Sequence, residues 1–173
     1  DPADAAVRRP HLPAVYDLGS NLGNTNAAMY GILSNGNLKF NHLAGVMRFH
    51  FKNVPIGTNQ FKITLDKKIN GTFTADLSNS YPTICSGETD IESEKTITIN
   101  FDAIQEIQDI RIYVPLPIGT YNSLALELNT SEENVISYSK SVTNTINRKT
   151  LRLRPAVSMG GSIRGVIEND GTV

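Results

Sequence analysis

Apolar and polar residues alternate along residues 37–52, which read NLKFNHLAGVMRFHFK. Met47 and Phe49 fall on one side of an extended backbone, and Arg48 and His50 fall on the other. A repeat of two residues is typical of a β-strand with one face buried and the other in water. The segment therefore predicts a half-buried strand.

The same alternation returns at steady intervals, with turn residues about every ten positions. Asn35-Gly36 and Asn70-Gly71 are strong signals for tight turns, because both residue types tolerate a positive φ. One helical turn is expected over 103–109. A strand is expected to stop at Pro115-Leu116-Pro117, because proline cannot donate to a β-ladder. The remaining alternating segments are residues 61–65, 73–77, 95–102, 110–114, 124–128 and, more weakly, 135–142.

This pattern predicts an all-β fold, a two-layer antiparallel β-sandwich of about seven strands. A chain of 173 residues is about the size of one domain. Proline, glycine and asparagine are frequent near the N-terminus, so residues 1–35 are predicted to be an N-terminal linker segment. Residues 36–157 are the predicted sandwich, and residues 158–173 form a C-terminal tail.

The composition and the candidate reactive residues argue against several classes of function. The net charge is −1, which argues against non-specific nucleic-acid binding. Cys85 is the only cysteine, so no internal disulfide forms, and none of the three histidines has metal-ligand spacing with another histidine or with Cys85. We find no motif of a nucleophile with its base, so the sequence predicts neither an enzyme nor a cofactor.

Four segments, taken in order, resemble the fimbrillin (Mfa-like) families of Bacteroidetes. The most specific is a hydrophobic strand followed by Pro-x-Pro-x-Gly-Thr-Tyr and a second strand. The four segments are LKFNHLAGVMRFHF at 38–51, KINGTFTADL at 68–77, IRIYVPLPIGTYNSLALEL at 110–128 and SKSVTNTINRKTLRLRPAV at 139–157. The resemblance covers residues 13–157 and is greatest to the C-terminal of the family's two sandwich domains, which implies a Greek-key, transthyretin-like topology.

The resemblance implies a non-catalytic cell-surface module, either a pilus subunit of a fimbria or a domain of an outer-membrane lipoprotein made as part of a longer precursor. The expected partners are other pilin or adhesin subunits, or host and surface ligands. Contact with the membrane is expected only through a lipid anchor outside this chain.

In the polymerising members of the family, an Arg-specific protease trims a segment and a strand from the next subunit fills the groove. Arg8 and Arg9 are the candidate cut, in an exposed proline-rich segment of the kind that proteases attack; otherwise they are a chance dibasic pair in a linker. The tail is the candidate donor strand, with Ile163, Val166 and Ile167 seated in the neighbour's groove.

A glycan-binding module of a bacterial outer-membrane protein is the alternative. Tyrosines are the aromatic platforms that the chain offers, because it has no tryptophan. Tyr81 and Tyr121 are the candidate sugar contacts, since both are expected in loops.

Overall fold

The computed structural model describes residues 7–22, 27–78, 82–130, 135–148, 151–153 and 157–158. These residues are almost entirely β structure, which confirms the prediction of an all-β fold built from packed sheets. The strands are β1 (Val7–Arg8), β2 (His11–Leu12), β3 (Val15–Asp17), β4 (Met29–Ser34), β5 (Asn37–His42), β6 (Gly45–Val54), β7 (Thr58–Leu65), β8 (Gly71–Thr72), β9 (Ala75–Asp76), β10 (Thr96–Asn100), β11 (Gln108–Leu116), β12 (Gly119–Thr130), β13 (Val135–Ile146), β14 (Leu151–Leu153) and β15 (Val157–Ser158), with a short 3₁₀ turn at Glu92–Lys95.

Two larger sheets form the body of the molecule. The first has the order β13-β12-β7-β10-β3, and the second has β11 on one side of β6 with β14 and β15 on the other. Most neighbours are antiparallel, but β3 pairs with β10 in parallel, as do β14 and β15 with β6. The predicted Greek-key topology and strand number stay predictions.

The main core lies between these two sheets. Met47, Phe49 and Phe51 alternate along β6 and are completely buried, as the repeat of two predicts. The ring of Phe61 on β7 lies 5.3 Å from that of Phe49 and 4.9 Å from that of Phe51, measured between centroids. Burying such a side chain stabilises the fold by about 1.5–3 kcal/mol, so these contacts fix which face of β6 points inward.

A smaller satellite cluster supports the N-terminal segment. It consists of Leu12, Leu43, Ala44, Phe73, Ala75 and Ile84. Beside it β1 pairs with β9 and β2 pairs with β8, while β3 joins the five-stranded sheet. Three strands of the segment predicted as a linker are therefore paired with the body. The boundary predicted after residue 35 falls within the turn that joins β4 to β5.

One local expectation is wrong. Residues 103–109 form no helical turn, because the backbone of Ile104 bonds instead to Gly57 and Thr58, with N–O distances of 2.8 and 2.9 Å. The prediction that a strand stops at Pro115-Leu116-Pro117 is confirmed, because β11 ends at Leu116. β11 is an edge strand, where a proline is tolerated.

Candidate functional site

The β4–β5 hairpin carries the largest group of exposed apolar side chains in the described part of the chain. Its strands are joined by Asn35 and Gly36, with φ of 49° and 75°. Two successive residues in this left-handed region form the tight turn that matches the twist of the two strands. The turn places Leu33 opposite Leu38 and Gly31 opposite Phe40.

One face of this hairpin is apolar and open to solvent. Residues opposite each other on antiparallel strands point to the same side, so Met29, Gly31, Leu33, Leu38 and Phe40 share one face, called the hairpin face below. The exposed fractions are 45% for Met29, 71% for Leu33, 56% for Leu38 and 59% for Phe40. Scattered exposed apolar residues are ordinary, but a contiguous group marks a contact surface.

The side chains on β5 lean across the centre of the hairpin face. A Cβ atom added to Gly31 would lie 3.1 Å from Cδ1 of Leu38 and 3.4 Å from Cε1 of Phe40. The glycine therefore leaves room for both side chains to cover its backbone. This arrangement makes a continuous apolar surface rather than separate side chains pointing into water.

The hairpin is fixed at its base and projects beyond it. Tyr30 packs against the satellite cluster, and its hydroxyl accepts a hydrogen bond from Nη2 of Arg148 at 3.0 Å. Asn41 is buried, and the Leu43 N–H donates to the carbonyl of Ala28 at 3.0 Å. Every residue from 31 to 40 is exposed. The body thus holds the hairpin and does not cover its face.

The charge around the hairpin face is low and entirely non-acidic. The chain has no Asp or Glu between residues 18 and 65. Lys39 is opposite Ile32 and therefore points to the other side of the hairpin. His42, opposite Met29, lies at the base of the hairpin face. No side chain of Asp, Glu, Lys or Arg lies on the hairpin face itself.

The backbone edges of the hairpin are also available. β4 and β5 form a two-stranded sheet, and no other described strand pairs with the outer edge of either one. Neither strand contains proline or a bulge, two of the features that usually block an edge. The unpaired N–H and C=O groups can therefore accept an added strand.

Arg8 and Arg9, the predicted cut, lie at the end of β1. Arg8 is paired with Ala75 on β9, and Arg9 follows as an exposed residue outside the strand. The predicted donor residues Ile163, Val166 and Ile167 lie outside the described residues.

The prediction that Tyr121 lies in a loop is wrong. Tyr121 belongs to β12, and its exposed fraction is 0%. Its hydroxyl donates a hydrogen bond to the carbonyl of Pro117 at 2.8 Å, and burial raises the pKa of the phenol well above its usual value. The ring closes the corner between β11 and β12, so it offers no face to a sugar. Tyr81, the other candidate, lies outside the described residues.

The described residues contain no group of three or more His, Cys, Asp and Glu side chains able to hold a metal ion. His50 and Asp109 approach within 3.3 Å on the outer side of the second sheet. The Asn53 N–H donates to the same carboxylate at 3.1 Å and is the main reason that the pKa of Asp109 lies below its usual value. Asp109 therefore supports the bulge in β6.

No helix in the described ranges has the length and hydropathy needed to cross a bilayer. No protein-family model and no curated protein matches the sequence of this chain.

The alternation along the sequence does not by itself identify the hairpin face as a site. The first strand of the hairpin lies in the predicted linker, and Leu38 and Phe40 lie in the predicted half-buried strand. The signal was present in the order Gly31-Ile32-Leu33-Ser34 before the Asn-Gly turn and Asn37-Leu38-Lys39-Phe40 after it. A two-residue turn fixes the pairing, and the pairing places the apolar residues on one side.

Proposed function

We propose that this chain is a non-catalytic structural or adhesive module of a bacterial cell surface, which acts through protein–protein contact. The hairpin face is the observation that carries this proposal. It joins a contiguous apolar surface to unpaired strand edges, the two features that strand-mediated contacts use.

A fimbrillin-like pilus subunit or surface lipoprotein domain is the finer form of this proposal. It rests on the sequence resemblance, and the positions of the motifs agree with it. The segment at 38–51 supplies the central strand β6, and the Pro-x-Pro-x-Gly-Thr-Tyr unit forms the corner closed by Tyr121. These motifs are therefore structural, as expected of a family that shares a scaffold and varies its surface.

Strand addition has support in the C-terminal part of the chain. Leu151–Leu153 and Val157–Ser158 lie in parallel beside β6, so the segment just before the tail already adds strands to a sheet edge. In the proposed assembly the tail adds a strand to the sheet edge of another subunit. A cut between Arg8 and Arg9 would separate β1 from the strands that follow it and would leave β2 and β3 paired. Trimming there therefore opens the edge of β9 and not that of β10.

A labelled peptide of residues 158–173 tests the strand-addition proposal on the full-length chain. We expect saturable binding by fluorescence anisotropy. A control peptide with Ile163, Val166 and Ile167 changed to serine should bind at least about tenfold more weakly, because the apolar contacts are lost. Equal binding of both peptides, or binding of neither, would show that the tail is not a donor strand.

Antibody labelling of intact cells that produce the full precursor tests the proposed location. We expect labelling without permeabilisation, and loss of the signal after brief treatment of the cells with external protease. A signal that needs permeabilisation would contradict a cell-surface role.

A polar ladder on the outer face of the five-stranded sheet favours glycan binding as a second candidate function. The Asn129 amide donates to Gln60 at 2.6 Å, Gln60 to Asn100 at 3.0 Å, and Asn100 to Asp17 at 2.8 Å. Each amide nitrogen in this row keeps a second N–H. Such a row can donate to the hydroxyls of an extended sugar chain without the aromatic contact once expected of Tyr121.

A glycan array probed with the full chain tests this second candidate. We expect binding that is lost in Asn100→Ala and kept in Asn21→Ala, because Asn21 is an exposed asparagine outside the ladder. An array with no bound glycan, or equal binding by both variants, would exclude the ladder as a sugar site.

A further inference from the structure

We infer that the hairpin face is a self-association surface, on which the hairpin of a second copy of this chain packs. The inference rests on the proposed contact function and names its partner. Two hairpin faces would stack as layers about 10 Å apart, with Leu33, Leu38 and Phe40 of each copy against the same residues of the other. A symmetric pair is the commonest arrangement for identical chains.

The charge distribution favours a second copy. Two copies of one surface repel each other when that surface carries a net charge. The hairpin face carries no acidic side chain, lysine or arginine. Lys39 points to the opposite side and stays in water when two faces meet. The whole chain has a net charge of only −1, so long-range repulsion between copies is weak.

The position of the turn argues against a lipid bilayer as the occupant. Ser34, Asn35, Gly36 and Asn37 lie beyond the apolar residues at the end of the hairpin. Insertion end-first would carry these polar groups into hydrocarbon, where unsatisfied backbone groups are costly. Sideways packing against another protein surface buries Leu33, Leu38 and Phe40 and leaves the turn in water.

The size of the hairpin face sets the expected strength of the self-association. A large side chain has a surface of roughly 150–250 Å², and those of Met29, Leu33, Leu38 and Phe40 are 45–71% exposed. Together they offer on the order of 400 Å² of surface per copy. Stable interfaces bury about 800 Å² per partner. We therefore expect a reversible dimer that forms as the concentration rises, and not a permanent one.

Sedimentation equilibrium of the full-length chain over a concentration series tests the inference. The wild-type mass should rise from that of one chain toward that of two. In Leu38→Ser/Phe40→Ser the apparent dissociation constant should rise at least about tenfold. The matched control is Ile107→Ser, which removes an exposed aliphatic side chain (66% exposed) elsewhere and should associate like wild type.

Cross-linking gives a second readout that keeps the hairpin sequence almost intact. In a Cys85→Ser background, Leu33→Cys should be linked into a dimer by a bismaleimide with a spacer of about 10 Å, the separation of the two layers, whereas Ile107→Cys should stay monomeric. A chain that remains monomeric at every concentration, with no preference for cross-linking at position 33, overturns the inference.

The outcome for the tail peptide separates this inference from the proposed function. If the chain is monomeric but still binds the tail peptide, the second-copy inference fails and strand addition stands. If the hairpin dimer forms and the peptide does not bind, self-association stands and the donor-strand proposal fails.

Discussion

At the scale of single residues, close approaches of the backbone decide which positions the fold cannot change. Gly45 begins β6, and a Cβ atom added there would collide with Cγ2 of Ile146 and lie 2.6 Å from the carbonyl oxygen of Asn147. A contact with backbone cannot be relieved by rotating a side chain. The requirement for glycine at position 45 therefore comes from the end of β13 crossing over β6.

Gly45→Ala should lower the free energy of unfolding by about 1–3 kcal/mol, because the added methyl group overpacks this crossing. Urea denaturation followed by circular dichroism measures the change. Gly87→Ala is the control, since nothing lies within 4 Å of a Cβ atom at that exposed position, and it should be nearly neutral. Equal midpoints for the two variants would disprove the crossing as the cause.

Two buried tyrosines allow a comparison of a hydroxyl with a hydrogen-bond partner and a hydroxyl without one in the described ranges. The Tyr121 hydroxyl donates to the buried carbonyl of Pro117, whereas the Tyr16 hydroxyl is buried with no hydrogen-bond partner among the described residues. Burial raises the pKa of Tyr16 to about 12. We expect Tyr121→Phe to cost about 1 kcal/mol and Tyr16→Phe to be neutral or stabilising, because only the first change removes a hydrogen bond. The same denaturation experiment measures both, and a larger loss for Tyr16→Phe would contradict the assignment.

At the scale of secondary-structure elements, a carboxylate supports the bulge in β6. Asp109 of the neighbouring strand β11 accepts the Asn53 N–H at this bulge, where Asn53 has a φ of 54°. The aspartate thereby satisfies a backbone donor that the bulge removes from the ladder. Both oxygens of Asp66, which follows β7, accept the Asn122 N–H of β12 at 3.1 and 3.0 Å, beyond the last residue pair of these two strands.

The lowered pKa of Asp109 predicts an acid-dependent contribution to stability. Because the folded-state pKa lies below the unfolded one, the contribution is complete above about pH 4 and disappears as the pH falls through the folded-state pKa. Asp109→Asn should be slightly less stable than wild type at pH 7, and the difference should close as the pH falls through the folded-state pKa, where wild-type Asp109 also becomes neutral. Thermal unfolding across this range measures it.

The matched control for this prediction is Asp102→Asn, an exposed aspartate outside the bulge. This variant should not reproduce the difference seen for Asp109→Asn. A gap for Asp109→Asn that stays constant down to the lowest pH at which the protein is folded would show that its charge plays no part in holding the bulge.

The sequence predicted those strands in which apolar and polar residues alternate and the apolar ones are buried in the core. Residues 45–54 alternate and face the main core, so their strand and its inward face were both foreseeable. Ile104 shows what is missing: residues 103–109 were predicted as a helical turn, and only the assembled fold reveals that the backbone of Ile104 bonds to Gly57 and Thr58. Tyr121 and Phe40 show the same limit for the site, because an aromatic residue in a strand is buried or exposed according to what packs above it.

At the scale of the whole molecule, the two hydrophobic clusters differ in what they support. The main core lies between two sheets and includes Phe61 and Ile63 of β7, a strand paired on both sides. The satellite cluster holds the base of the hairpin and the short N-terminal strands. Opening the hairpin breaks few buried contacts, so it need not disturb the main core.

Hydrogen exchange should therefore divide the molecule into two levels of protection. Local opening has a low free energy where buried contacts are few, and central strands exchange only when the whole domain unfolds. In dilute solution, amides within residues 31–40 should exchange at least about 100-fold faster than those within β7. Mass spectrometry of peptides covering 29–42 and 58–65 measures the ratio. Equal protection in the two peptides would mean that the hairpin unfolds only together with the main core, and that the satellite cluster joins them into one cooperative unit.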